Sequence, residues 1–410
     1  MTELLYRTYG LIHQLAKVLL RKDRLSAGPF YPKEQMLGCD LKEANKEWLS
    51  FINNSFIPVN ANFAGFHYAG YVAENQDWCL ESWIWTNAAL VRMYCGEGNL
   101  EKAIALGEIL SKHQQACGAW IVRNDYDTKG AIPIIAPNDS AYIANNAFIS
   151  LFEATKDERW LRIATRCADW IMETARPDRL LYNGYNIRDD KWETNCIIVD
   201  IGFAGALFAK LQALTGNARY KEFLESFITR YIELFYMPKK KGFCTSIGVH
   251  NQPQGGMFAR GQAWALEGLI PAYIVLQNDF IKGIIENTID NLIKQQCRNG
   301  GWSYNLTRKL MGEDCKAVSV IAKDMMDWYA YTKNKRILKS AKRALEWCCK
   351  HSAVDGDAKG GIFSYCVEGG IVKNLYTSCA FVYASAYAIE LQKQIENAEN
   401  NTHKESFRGL

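Results

Sequence analysis

TKDERWLRIATRCADW, residues 155–170, opens on a short polar turn and runs into an amphipathic stretch laced with arginine and aspartate. The same design returns as GEGNLEKAIALGEIL (96–110), TGNARYKEFLESFITRY (215–231), QNDFIKGIIENTIDNL (277–292) and TKNKRILKSAKRALEW (332–347). The starts recur at roughly sixty residues, a period that marks a repeat architecture. Each copy ends at a glycine-aromatic stop: GAW at 118–120, YNGY at 182–185, KGF at 241–243, GGWSY at 300–304 and GGIFSY at 360–365. Ahead of the turns lies a second, more apolar set rich in small residues. Its members are WIWTNAALVRMY (83–94), AYIANNAFISLFEA (141–154), GFAGALFAKLQAL (202–214), GQAWALEGLIPAYIVL (261–276), CKAVSVIAKDMMDWYAY (315–331) and TSCAFVYASAYAIEL (377–391).

Helices apolar all round belong inside, and helices with one charged face belong outside. Six of each, with segments near 3–20 and 42–53 completing the outer set, predict an all-α (α/α)6 toroid, a six-hairpin barrel. It is expected to fill residues 1–395 as a single domain, with 396–410 a polar C-terminal tail and short strands only in loops such as 118–136. An open α-solenoid is the alternative, but its repeats are usually shorter.

Composition narrows the function. With 48 basic and 44 acidic residues the net charge is +4, which gives no reason to expect nucleic acid or an anionic membrane as partner. Thirteen cysteines, an odd number without a CxxC pair, suit reduced thiols in a cytoplasm better than a disulfide framework. The amino-terminal stretch reads as an amphipathic helix rather than a signal peptide, and no apolar run is long enough to span a membrane. No metal site is expected, since His, Cys and Asp show no ligand spacing; Asp324 and Asp327, in KDMMDW, are expected on a helix surface. There is no Gly-rich phosphate loop, and no nucleophile elbow is present. Oligomeric state is not readable.

In such a toroid the N-termini of the inner helices surround one funnel. Reading them in order gives Asp77-Trp78 with Glu81, Asn138-Asp139, Asp200, Arg260, and Glu313-Asp314. Acids and amides at helix starts are also good caps, so each residue has a purely structural explanation. Asp139 and Asp200, however, stand one repeat apart at matching height, each before a small or aromatic mouth (DSAY, DIGF). Two carboxylates facing one cavity are what sugar-bond chemistry requires. Arg260 opposes the helix dipole and needs an anion: Asp200, or a ligand carboxylate gripped bidentately. Trp264, one turn on, shares its face, where it either stacks on a sugar ring or fills the barrel axis.

RGQAWA (260–265), NDSAY (138–142), IVDIGFAGALFAKLQALTGN (198–217) and GEDCKAVSVIA (312–322), in this order, resemble the unsaturated glucuronyl hydrolases and the related unsaturated rhamnogalacturonyl hydrolases. Register holds over roughly residues 75–390. The resemblance implies a cofactor-free glycoside hydrolase. Such an enzyme hydrates the C4=C5 double bond of a terminal unsaturated uronic acid on an oligosaccharide made by a polysaccharide lyase. It implies that Asp200 is the general acid/base with Asp139 beside it, that Arg260 and Trp264 hold the uronate carboxylate and ring, and that Trp78 is another wall. Gln262 in the same motif, His250 in the loop GVHNQPQGGMF, and Asn138, where the family usually has histidine, are further candidates for substrate binding. Three alternatives stay open: a sugar epimerase, a hydrolase or lyase of intact polysaccharide using Glu81, Asp139 and Asp200, and a non-catalytic barrel binding glycan or a partner protein. The epimerases depend on mouth histidines, and none of the six here starts an inner helix.

Overall fold

The computed structural model describes residues 40–408 apart from 59–62, 74, 80, 122, 126–129, 132, 309–310 and 369–374, together with residues 8, 11, 12 and 15. The expected outer helix at 3–20 therefore lies almost wholly outside the described residues. Helices dominate, in the order α1 (Ala44–Asn54), α2 (Ile84–Gly96), α3 (Leu100–Lys112), α4 (Pro137–Ile143), α5 (Ser150–Thr155), α6 (Glu158–Thr174), α7 (Phe203–Thr215), α8 (Ala218–Phe235), α9 (Ala259–Leu276), α10 (Asp279–Gln295), α11 (Cys315–Thr332), α12 (Lys335–Lys350) and α13 (Val382–Arg408). A π-helical segment, Ala144–Ile149, joins α4 to α5. The strands are short and sit in the connections.

The recurring turn has one physical design. A residue in the left-handed region ends one helix and an Asn or Asp caps the next: Lys156 (φ 60°) before Asp157, Gly216 (φ 67°) before Asn217, Lys333 (φ 55°) before Asn334. The cap side chains accept the N–H of Arg159, Arg219 and Arg336, satisfying donors that a helix start leaves orphaned. Thr155, Thr215 and Thr332 add a hydroxyl that donates to the carbonyl four residues back and accepts the N–H of the capping residue.

Contacts divide the chain into two compact units. The first comprises Phe56–Tyr68 and Leu80–Asn291. Within it α7 is buried on every face from Phe203 to Ala209, whereas α6 buries only a stripe at Trp160, Ala164, Cys167, Ala168, Trp170 and Ile171. That is the inner and outer character the sequence predicts. The tightest packing is between α7 and α9. A Cβ on Gly268 would stand 2.0 Å from the Gly202 carbonyl oxygen, and one on Gly205 would stand 2.8 Å from that of Gly268. Only glycine allows backbones this close. Arg92 on α2, Asn146 on the π-helical segment and Glu267 on α9 are tied together: Arg92 Nη1 donates to Asn146 Oδ1 (2.5 Å) and Glu267 Oε1 (3.3 Å).

The second unit comprises Met1–Ser55, Ala69–Cys79 and Leu292–Leu410. Here α11 packs on α12 and α13, and α13 on α1. An antiparallel sheet runs in the order Phe363–Glu368, Leu375–Phe381, Gly70–Val72, Asp77–Trp78. Three features here differ from what the sequence suggests. The last inner helix begins at Val382, not Thr377, because Thr377–Ala380 pair in register with Cys366–Phe363 and Phe381 pairs with Gly70; this β-branched and aromatic run suits a strand. The polar segment after Ile395 continues that helix to Arg408. Asp324 is fully buried, 3.5 Å from Lys323 Nζ, rather than on the helix surface. A charged residue is ordinarily read as surface, and nothing local in KDMMDW signals that Asp324 is enclosed. The described cysteines are free, among them the adjacent, buried Cys348 and Cys349.

Gly268→Ala should lose about 2 kcal/mol or more in urea unfolding, since backbone lies on both sides of the clash. Gly283→Ala, where an added Cβ meets nothing within 4 Å, should be neutral or gain up to about 1 kcal/mol. Equal costs at the two positions would show that the α7–α9 contact is not close.

Candidate active site

The first unit gathers Asn138, Asp139, Asp200, Arg260 and Trp264 from three inner helix starts. Pro137 opens α4 with Asn138 and Asp139 in its first turn. Asp200 lies in a 3-10 turn, Val199–Gly202, that leads into α7. The turn is braced on two sides: the Val199 N–H donates to the Thr245 carbonyl, and Tyr231 of α8 donates its hydroxyl to the Val199 carbonyl at 2.8 Å. Capping does not explain either acid. The residues at the cap positions are Ala136 and Ile198, and neither makes a side-chain capping hydrogen bond. Asp314 is different. It is the cap of α11, accepting the Lys316 N–H.

The two carboxyls share one donor. Asn138 Nδ2 donates to Asp200 Oδ2 at 2.9 Å and to Asp139 Oδ1 at 3.2 Å. The nearest oxygens of the pair are therefore no more than two hydrogen-bond lengths apart. Both acids are surrounded by protein while part of each still meets solvent. Burial pushes Asp200 up to about 7, against the pull of the Asn138 hydrogen bond, the N–H dipoles of its own residue and Ile201, and the charge of Arg260. Burial also holds Asp139 well above the ordinary carboxylate range, and the charge of Asp200 adds to this. Two carboxylates this close do not both ionise readily. Asp139 therefore resists ionising beside a charged Asp200, and Asp200, at about 7, is poised to exchange a proton near neutral pH.

The RGQAWA motif resolves into separate tasks. Arg260 is buried in the first turn of α9, its guanidinium 4.6 Å from the Phe258 ring centre and 5.5 Å from that of Trp264. Cation–π contact offsets the unfavourable helix dipole. A Cβ on Gly261 would meet Val199 Cγ1 at 2.7 Å, so glycine lets α9 open against the residue before Asp200. Gln262 is a brace. Its Oε1 accepts the Phe243 N–H (2.8 Å) while Nε2 donates to the carbonyls of Phe243 and Phe258 (2.9 Å each). Its amide is thus spent on backbone, in contrast to the substrate contact expected of it.

Trp264 is half-buried and ends a row of rings with one member per inner helix. Trp85 lies edge-on to Tyr142 (6.2 Å between centres), Tyr142 to Phe203 (4.8 Å), and Phe203 to Trp264 (6.0 Å). Trp85, Tyr142 and Phe203 were not singled out from the sequence. Tyr142 follows Asp139 by three residues and Phe203 follows Asp200 by three, the spacing that keeps a helix face. His250 is exposed in the turn between the strands Ser246–Gly248 and Pro253–Gln254. Trp78 belongs to the other unit, where it packs on Phe51 (5.2 Å) and Tyr71 (5.5 Å). Among the described residues, no three His, Cys, Asp or Glu side chains could hold a metal ion, and no helix is long and apolar enough to cross a membrane.

The family model for Glycosyl Hydrolase Family 88 matches residues 101–399. No curated protein matches the sequence. Similar solved structures include an unsaturated glucuronyl hydrolase specific for heparin (TM-score 0.69, 13% identity, covering 88% of this chain and 98% of that one). The unsaturated glucuronyl hydrolase of Bacillus sp. GL1, responsible for the degradation of glycosaminoglycan, is also similar (0.66, 15%, 86% and 96%). So is the cellobiose 2-epimerase of Bacillus thermoamylovorans (0.68, 12%, 86% and 98%). The likeness shows the six-hairpin (α/α)6 barrel fold that the repeat predicts.

An acid whose folded pKa is raised binds more protons folded than unfolded between its ordinary value and the raised one. Stability therefore falls as pH climbs through that window, from the usual carboxylate range to about 7 for Asp200, and stays reduced above it. Asp200→Asn, which retains an acceptor for Asn138, should be more stable than wild type at pH 8 by at least about 1 kcal/mol, with the gain shrinking toward pH 4. A pH-independent difference in thermal unfolding would contradict the raised pKa.

Proposed function

We propose, from the premise that this chain belongs to glycosyl hydrolase family 88 and is a glycoside hydrolase, that it acts on oligosaccharides ending in an unsaturated uronic acid. The observation that carries the reading is the single amide joining two raised carboxyls, with an aromatic-clad guanidinium nearby. A substrate carboxylate would pair with Arg260, whose planar fork suits bidentate contact, and the sugar ring would lie on the half-buried Trp264.

With the ring held there, protonated Asp200 gives its proton to C4. The C4=C5 electrons form the new C–H bond, and the cation left at C5 is shared by the ring oxygen. The Asp200 carboxylate then takes a proton from water as the water oxygen bonds C5, so the acid is regenerated. The hemiketal opens at the C5–ring oxygen bond, and the exposed C1 centre releases the next sugar as an alcohol. Asp139, held well above the ordinary carboxylate range by burial and by the charge of Asp200, resists a second charge in the pair and leaves Asp200 the working acid. A proton-transfer group performs best with a pKa near the operating pH, and a value of about 7 fits this demand. The substrate's acidic terminal sugar and the cytoplasmic setting inferred from free thiols are part of this proposal.

The epimerase alternative draws less support. The ring of His113 packs on Phe66, that of His351 on Trp347, and His250 is exposed.

Lyase-made oligosaccharides should lose the ultraviolet absorbance of their conjugated double bond when given the enzyme. Asp200→Asn should cut this rate at least about 100-fold. Trp264→Ala should chiefly raise KM, and wild-type kcat should fall above about pH 7, where the acid form is lost. Persistent absorbance across glycosaminoglycan and pectic substrates would overturn the substrate assignment.

A further inference from the structure

Asn138 was expected to touch substrate. Its geometry points elsewhere. The side chain is buried, and its two N–H bonds go to two different carboxyls. On the far side of each contact an atom is left over: neither Asp200 Oδ1 nor Asn138 Oδ1 has a hydrogen-bond partner among the described residues. A buried acceptor without a donor is costly, so such atoms in a site mark where a ligand's hydrogen-bonding groups go. Because Oδ2 of Asp200 is taken by the amide, Oδ1 is the oxygen free to carry the exchanged proton.

We propose that Asn138 is the positioning residue of this pair: one N–H to each carboxyl fixes which oxygen of Asp200 meets the substrate and couples its ionisation to that of Asp139. An amide does this without bringing charge. An imidazolium at the same place would add a cation beside the anion and favour ionised Asp200 more strongly. The neutral donor thereby keeps the acid form of Asp200 available to higher pH. The other groups around Asp200 are Asp139 on α4, Arg260 on α9, and Tyr231 on α8, whose hydroxyl is occupied by the Val199 carbonyl. Arg260 opposes the shift that burial causes at Asp200, and Asp139, raised by burial and by the charge of Asp200, resists a second negative charge beside it. This inference rests on the proposed role of Asp200 as acid/base; its geometric part holds for any reaction at the pair.

The test uses Asn138→Leu, which keeps the branched heavy-atom shape and removes both N–H groups, and Asn138→His, which restores a donor. With unsaturated oligosaccharide as substrate, Asn138→Leu should lower kcat about tenfold or more with KM changed less than threefold. The alkaline limb of its kcat profile should move up by about one pH unit, the scale of one lost hydrogen bond to a carboxylate. Asn138→His should recover part of kcat, with the limb at or below the wild-type position. In parallel, the side-chain carboxyl carbons of 13C-aspartate-labelled free enzyme are titrated by NMR, with Asp200→Asn identifying the Asp200 signal. That signal should move to a higher midpoint in Asn138→Leu. A rise in KM with an unmoved limb and an unmoved midpoint would make Asn138 a substrate contact and overturn the proposal. If no unsaturated sugar is turned over but the midpoint moves as stated, the substrate reading fails and the positioning role stands.

Discussion

The contact on which the site depends is made of backbone. Gly202 and Gly205 on one inner helix hairpin and Gly268 on the next let two chains meet where a single added methyl would overlap a carbonyl oxygen. This places the short turn bearing Asp200 against the opening of α9, where Arg260 begins. Gly261 allows a second close approach, to the Val199 side chain. Close packing is usually discussed as a source of stability. Here it also brings a carboxyl and a guanidinium from distant parts of the sequence to one place, each on a regular element whose backbone has no freedom to drift.

Electrostatics then follows from what surrounds the acids. Desolvation is the largest influence on both, and hydrogen bonds and Arg260 recover only part of its cost at Asp200. A pair of freely hydrated carboxylates would both be ionised at neutral pH and could donate nothing. A fully dry pair without donors would hold both protons too tightly. The bridging amide of Asn138, a neutral group in a place where charge is expensive, leaves the pair between these limits. Arg260 lies over two rings, those of Phe258 and Trp264, contacts that favour a cation in this place.

Much of this could be read in the sequence because it repeats. The turns before α6, α8 and α12 recur because three hydrogen bonds recur: the threonine hydroxyl donates to the carbonyl four residues earlier, the N–H of the capping Asn or Asp donates to that hydroxyl, and the following arginine N–H donates to the cap's side-chain oxygen. Asp139 and Asp200 stand one such period apart, and RGQAWA stands at the next helix start. What could not be read is what depends on neighbours distant in sequence. Nothing local tells that Gln262 spends its amide on the Phe243 and Phe258 backbone, that Asp324 is enclosed, or that LYTSCAF is a strand ahead of α13. The row of rings from Trp85 to Trp264 was half legible. Aromatics three and four residues past each mouth residue share its face, but a lone aromatic in an apolar helix looks like core.

Protonation of carbon rather than of the glycosidic oxygen is what separates hydration from ordinary hydrolysis, and isotopes report it directly. Turnover of an unsaturated disaccharide in deuterium oxide containing 18O should place one deuteron on C4 of the released uronate and the heavy oxygen on C5 as the product forms. Label found at C1, with the C4=C5 double bond intact, would contradict the role assigned to Asp200.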